Sequence, residues 1–192
     1  MQFILEIDKE KQIKRKTLQS NGKDFEDDAQ HAWHMAIMTL LLSEYANEKV
    51  DVLKTISMLL IHDLVEIDAG DTYAYDKEGL QTQKAREEAA KERIFSLLPE
   101  DQKKELAGLF DEFEAFETKE SKYAHAMDNL QPLILNHSNG GEDWKRHGVT
   151  KGQVYGRQGK TKLGSDRLFQ VVDAILQENI EKGNIKEREE EK

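Results

Sequence analysis

Apolar residues recur every three or four positions along most of this chain, which is the spacing of amphipathic helices. Ala, Leu, Glu, Lys and Gln dominate and β-branched residues are sparse, a composition that also favours helices. Of the two prolines, Pro99 is expected to end a helix and Pro132 to kink one. The predicted helices cover residues 2–14, 28–47, 51–66, 80–98, 100–117, 119–137, 150–157 and 165–182.

Turn-forming residues lie between these helices. Asn21-Gly22 is a turn signal in a polar stretch, and Asp27 or Asp28 can cap the helix that follows. Within that helix, Trp33 continues an apolar stripe and is expected to lie in the core. We expect loops over residues 17–27, 67–79 and 138–148.

The domain organisation is simple. No shift of composition divides residues 1–185, and the remaining residues, 186–192, form a charged C-terminal tail, of which 187–192 are expected to fray. A chain of 192 residues is long enough to bury a sizeable core. We therefore expect one all-α domain built as a helical bundle.

The composition limits the classes of partner and site. The formal net charge of −10 repels nucleic-acid backbones and anionic membranes, so we expect neither as a partner. The absence of cysteine excludes disulfides, thiolate ligands and thiol catalysis. Neither a secretory signal pattern nor an apolar stretch of about 20 residues is present, so we expect a cytoplasmic location.

The most informative feature is His62-Asp63, which directly follows the apolar run Leu59-Leu60-Ile61. Burial of a carboxylate there is costly unless it is paired or bound to a metal. Glu66 shares a helix side with both residues, and Asp68 and Asp71 add further negative charge. A divalent cation would compensate this charge. The ordinary alternative is a helix end whose polar residues emerge into water.

Two other residues become informative in combination with this pair. His31 lies near the start of an apolar helix, where a histidine is usually a capping or half-buried residue. Asp128 lies in a helical segment with small and apolar neighbours, where a partnered core aspartate is equally ordinary. Together with His62 and Asp63 they form a donor set suited to a divalent ion, with coordination positions left for water and substrate.

These residues resemble the H…HD…D signature of the HD superfamily of metal-dependent phosphohydrolases. The matching residues are His31, His62-Asp63 and Asp128. Residues 26–34, EDDAQHAWH, resemble the family stretch E-N-x-A-E-H-S-W, and residues 62–72, HDLVEIDAGDT, resemble H-D-L-x-E-x-x-x-G-D-x. Both segments point to the branch of bacterial 5′-deoxynucleotidases and their eukaryotic HD-domain relatives. The resemblance covers about residues 3–183.

This resemblance implies an HD-type helical bundle, a single divalent metal and often a homodimer. By position, the implied metal ligands are His31, His62, Asp63 and Asp128. Glu66 and Asp71 match acids that orient or activate the attacking water and assist the leaving group, and Arg15 resembles an arginine that meets the phosphate. The alternative for Arg15 is a solvated residue ending the first helix, and for Glu66 a surface acid at a helix end. The implied divalent metal is one of Mn, Co, Zn, Fe and Mg.

The function implied by the resemblance is hydrolysis of a small phosphorylated substrate, a nucleoside 5′-monophosphate, to nucleoside and phosphate. Gln30 replaces a usual acid and Ala32 a usual Ser or Thr, so a non-catalytic regulator that binds metal or nucleotide is the alternative. A plain helical interaction protein is a third interpretation, which the apolar setting of Asp63 disfavours. Between Asp63 and Asp128 the only histidine is His125, which favours one metal over two.

Overall fold

Helices make up most of the structure, a computed structural model that describes residues 1–76 and 78–188. The α-helices are α1 (Gln2–Glu6), α2 (Asp28–Leu42), α3 (Val52–Ile61), α4 (Glu66–Ala69), α5 (Gly79–Phe95), α6 (Glu100–Ala115), α7 (Lys119–Ser138), α8 (Glu142–His147), α9 (Lys151–Gly164) and α10 (Asp166–Glu181). Short 3₁₀ segments cover Ile7–Gln12, Ser43–Tyr45 and His62–Val65. The predicted helical class is confirmed.

Helix α7 forms the centre of the bundle. Its residues Tyr123, Ala124, Ala126 and Met127 are fully buried, because α2, α3, α6 and α9 pack around it. Pro132 lies inside α7 and does not end it. The main core that these helices share includes Met35, Met58, Leu130, Val154, Val172 and Leu176.

A second, smaller core lies beside the first. Ile61, Leu64 and Val65 pack there against residues of α5 and α6 that include Ile94 and Phe110. The apolar residues on either side of the His62-Asp63 pair thus pack in this second core. Most of the buried part of α3 packs in the main core.

The contact between α7 and α9 is unusually close at one point. A Cβ atom added to Gly164 would lie 2.3 Å from the carbonyl oxygen of Lys122 and 2.9 Å from Cβ of Ala126. Only glycine leaves room for this approach. At its other end, α9 begins with a capping box between Thr150 and Gln153.

The C-terminal segment is held against the start of α9. Ile185 is almost fully buried in the main core. The backbone N–H of Lys186 donates to Val149, and the carbonyl of Lys186 accepts from Lys151. Within the predicted tail, residues 189–192 lie outside the described residues.

The N-terminal region differs from the sequence prediction. Residues predicted as the end of a helix and a loop form an antiparallel hairpin of β1 (Lys14–Leu18) and β2 (Phe25–Asp27). Gly22 has a φ of +67° in the connecting turn, where the predicted Asn21-Gly22 signal lies. Asp27 is the residue that caps α2, through a capping box with Gln30.

Other differences concern helix extents and one face of α2. Helix α8 was not predicted, and α9 extends well beyond the predicted end at residue 157. The expectation that Trp33 lies in the core is wrong, since the residue is 64% exposed. Helix α2 has apolar residues on two sides, and the side that faces the core carries Ala32, Met35 and Met38. No helix of the described residues is long and apolar enough to cross a bilayer.

Candidate metal centre

The His62-Asp63 pair lies where α3 tightens into a 3₁₀ turn, and both residues are buried. Nδ1 of His62 lies 3.0 Å from the carbonyl oxygen of Leu59. A carbonyl oxygen can only accept, so Nδ1 donates to it and Nε2 is the nitrogen that faces the site. That Nε2 lies 3.0 Å from Oδ1 of Asp63. The pair therefore presents one nitrogen and one carboxylate toward the same point.

His31 is fully buried on α2 and is oriented in a similar way. Its Nδ1 lies 2.8 Å from Oε1 of Gln131, and its Nε2 lies 3.2 Å from Oδ1 of Asp128. Gln131 in turn donates from Nε2 to Glu26, at 2.6 Å, which fixes the direction of the amide. His31 therefore also presents Nε2.

All four predicted ligands converge. One ligand atom from each of His31, His62 and Asp63 lies within 4.8 Å of the others. Oδ1 of Asp128 is 4.0 Å from Nε2 of His62, in addition to its contact with His31. Residues from α2, from the end of α3 and from α7 thus meet at one place.

Arg15 reaches this place from β1. Its Nη1 lies 2.8 Å from Oδ2 of Asp63 and 3.1 Å from Oδ1 of Asp28. The side chain is only 11% exposed, so the alternative of a solvated arginine is wrong. Asp28 is fully buried, although its position in the sequence predicted only a helix cap.

Glu66, the first residue of α4, is buried and not a surface acid. Burial and the neighbouring Asp63 carboxylate raise the pKa of Glu66 well above its usual range. Burial and Asp63 also raise the pKa of Asp28 to about 7. Among the described residues, no hydrogen-bond donor reaches the buried Oε2 of Glu66 or Oδ2 of Asp28.

The site has an excess of buried acid groups. Glu10 joins them from the 3₁₀ segment Ile7–Gln12, and burial together with Asp63 and Asp28 raises its pKa to about 7. Burial of several carboxyl groups beside one arginine is costly, and a divalent cation removes that cost. Two imidazoles and two carboxylates also suit Mn, Fe, Co or Zn. The residues present therefore fit a divalent cation.

His125 does not join the ligand set. Its Nε2 lies 3.0 Å from the carbonyl oxygen of Phe113, and its ring stacks on the Phe113 ring at 4.0 Å. Desolvation lowers the pKa of His125 to about 4, so the ring is neutral at physiological pH.

Comparison with known proteins agrees with this geometry. Residues 7–168 match the sequence model of the HD domain family HD_3. The chain belongs to the HD domain family. A crystal structure of a predicted metal-dependent phosphohydrolase from Magnetospirillum magnetotacticum MS-1 shares 44% sequence identity with this HD domain and superposes with a TM-score of 0.92. That match covers 97% of this chain and 93% of the other.

Relatives with a named activity are more distant from this HD domain. The 5′-deoxynucleotidase HDDC2 of Xenopus laevis is 30% identical over 77% of this chain and 71% of its own length. The human 5′-deoxynucleotidase HDDC2 is 29% identical over 54% of this chain. The match spans about half of the length of that human relative, namely 50%.

A cleft of about 680 Å³ opens beside the candidate ligands of the HD domain. Its walls include Arg15, Glu66 and Asp71. Asp71 also lines a smaller neighbouring cavity, together with Tyr73 and Trp144. Burial raises the pKa of Asp71, whereas the nearby Arg15 guanidinium lowers it. The cleft thus brings both predicted catalytic acids and Arg15 to the ligand cluster.

Three residues of this site were missed in the sequence analysis. Asp28 was treated as a cap, although it belongs to the stretch that resembles the family motif. Gln131 follows Asp128 by one helical turn, a spacing that could have indicated a contact with the same ligands. Arg157, which lines the cleft from α9, carried no local signal.

Proposed function

We propose that this HD domain is a divalent-metal-dependent phosphohydrolase that converts nucleoside 5′-monophosphates to nucleoside and phosphate. The observation that carries the proposal is the convergence of two Nε2 atoms and two carboxylates beside an open cleft that Glu66 lines. The activities named for HDDC2 and for the Magnetospirillum protein support the same reaction class.

The cation in this proposal is held by four side chains: His31, His62, Asp63 and Asp128. When bound, it polarises the phosphate and lowers the pKa of water beside it. Mn, Co, Zn, Fe and Mg are the candidates. Arg15 holds the Asp63 carboxylate at 2.8 Å and offsets charge on the phosphate.

Glu66 is the proposed base. Its Oε2 is buried and accepts no hydrogen bond from the described residues, so it can take a proton from the attacking water. The positive charge of a cation beside Asp63 would lower the raised pKa of Glu66 again. As the bond between phosphorus and the 5′ oxygen breaks, that oxygen needs a proton. Asp71 either supplies this proton or positions the water.

We also propose that two copies of the chain form a homodimer in the cytoplasm. Helix α2 carries an exposed apolar stripe on the side away from the core, which consists of Trp33, Ile37, Leu40 and Leu41. An apolar surface of this kind is typical of an interface. The lack of cysteine suits a reducing compartment.

The dimer proposal is tested by light scattering coupled to size exclusion. Leu40→Glu should convert the dimer to a monomer, whereas Leu5→Glu, at an exposed position of α1, should not. A wild-type chain that elutes as a monomer at all concentrations would contradict the proposal.

The enzymatic proposal is tested by phosphate release. Metal-free protein is supplied separately with Mn, Co, Mg, Zn and Fe, and is offered nucleoside 5′- and 3′-monophosphates and non-nucleotide phosphomonoesters. We expect 5′-monophosphates to be hydrolysed, and Asp63→Ala to lose both bound cation and activity. Chelator should lower the melting temperature of the wild type, because a cation that binds only the folded state stabilises it. Binding of metal and nucleotide without phosphate release would favour the regulatory alternative.

A further inference from the structure

Arg157 lies in the wall of the cleft beside the candidate metal ligands. It projects from α9, and its Nη2 lies 3.8 Å from Oδ2 of Asp128. The same residue lines the smaller cavity with Asp71, so it stands where the two cavities meet. A second cation, Lys160, follows one turn later and also lines the cleft.

The guanidinium groups of Arg15 and Arg157 contact different acids of the site. A single nitrogen of Arg15 contacts both Asp63 and Asp28, and the side chain is 11% exposed. The Arg157 side chain is 28% exposed, and within the described residues its guanidinium makes no hydrogen bond. Arg157 therefore keeps the donors of its guanidinium for a ligand.

The surface around Arg157 is open. Gly156 also lines the cleft, and a Cβ atom there would meet nothing within 4 Å. Nζ of Lys160 lies 5.3 Å from the centre of the Phe116 ring, a contact that restrains the ammonium group at the cleft. Position 156 carries no side chain, so an anionic group can approach the guanidinium from the cleft.

We propose that Arg157 binds the phosphoryl group of the substrate, as a second arginine beside Arg15. This inference rests on the proposed function and names the residue that recognises the dianionic phosphomonoester group. The planar guanidinium can donate two parallel hydrogen bonds to two phosphate oxygens. Lys160, one turn away, adds positive charge to the approach of the substrate.

The test measures the binding of inorganic phosphate to cation-loaded protein by calorimetry, and the affinity for the cation by competition with a chelator. Arg157→Gln should weaken phosphate binding by about 10- to 100-fold, because a charged hydrogen-bonded contact is lost. Arg157→Lys keeps the positive charge but not the paired donors of the guanidinium. Its phosphate affinity should lie between that of the wild type and that of Arg157→Gln. The control is Arg167→Gln, an exposed arginine of α10 that lines neither cavity.

The affinity for the cation separates this role from structural support of Asp128. Removal of a positive charge next to Asp128 should leave cation binding unchanged or make it tighter. A residue that only held Asp128 in place would instead lose cation affinity when replaced. Loss of the cation in both Arg157 variants, or unchanged phosphate binding in both, would overturn the inference.

The inference and the proposed function can fail separately. If the wild type binds phosphate through Arg157 but hydrolyses no phosphomonoester, the binding site stands and the proposed function falls. If the wild type is active and both Arg157 variants keep its phosphate affinity and its KM, the function stands and the inference falls.

Discussion

Nδ1 of His31 lies 2.8 Å from Oε1 of Gln131, and both side chains are fully buried. The amide oxygen can only accept, so this contact selects the His31 tautomer that leaves Nε2 free for a cation. We predict that Gln131→Met lowers the affinity for Mn or Zn by about 10- to 100-fold. Competition against a chelator of known affinity measures the change.

A matched control exists for this substitution. Gln158 is also buried, but it donates to the carbonyl of Asn129 and accepts from Thr161, and among the described residues no histidine forms a hydrogen bond with it. Gln158→Met should lower stability without changing the affinity for the cation. Equal cation affinity in the wild type and Gln131→Met would show that the orientation of His31 does not depend on Gln131.

The role of Glu66 is predicted to be catalytic and not structural. Glu66→Gln keeps the size of the side chain but removes the base, so kcat should fall by at least about 100-fold. Bound cation and melting temperature should be retained, since the four proposed ligands are untouched. Glu88→Gln, at another acid that lines the cleft, serves as the control. Near-wild-type turnover of Glu66→Gln would remove this residue from the mechanism.

Stability is predicted to fall as the pH drops, in part because of His125. Burial lowers the pKa of His125 to about 4 in the folded protein, and an unfolded histidine titrates at about 6.5. The unfolded state therefore binds more protons between these values, so stability present above pH 6.5 is lost as the pH falls toward 4. At pH 5 the loss is about 2 kcal/mol.

Denaturant unfolding of metal-free protein at pH 7.5 and pH 5 tests this. His125→Gln cannot titrate and keeps a donor for the carbonyl of Phe113. Between pH 7.5 and pH 5, the free energy of unfolding of His125→Gln should fall by about 2 kcal/mol less than that of the wild type. Parallel losses in the two proteins would contradict the assignment.

Two glycines of α9 are predicted to respond in opposite ways to replacement by alanine. Gly159 is exposed, and an added Cβ would meet nothing within 4 Å, so Gly159→Ala should stabilise the protein by about 0.5–1 kcal/mol. Gly164→Ala would place Cβ against the carbonyl of Lys122 and should destabilise by about 1–3 kcal/mol. Chemical denaturation measures both changes, and equal effects would contradict the close approach of α9 to α7.

Local patterns were enough to locate the centre of the site. The apolar run before His62-Asp63 and the acids after it are contiguous in sequence, so their combined environment could be inferred without a fold. The helices were predictable for the same reason, since each one has its own apolar spacing. Trp33 shows the limit of this reasoning. Helix α2 has apolar residues on two sides, and spacing cannot tell which side meets the core.

Features that depend on tertiary contacts were not predictable. A two-stranded hairpin is marginal by itself, and here β1 is stabilised by packing against α7 and α8. The hairpin decides that Asp27 caps α2 while Asp28 turns inward to Arg15. Arg157 approaches Asp128 only because α9 packs along α7, which no short motif reveals.

The burial of Ile185 and the backbone bonds of Lys186 determine where this chain can be shortened. A chain that stops before Ile185 would leave a gap in the main core and unpaired backbone groups at the start of α9, the helix that carries Arg157. A protease that cuts after residue 188 would leave both contacts intact. The two residues at 185 and 186 therefore belong to the folded unit, and an affinity tag or a surface tether should not replace them.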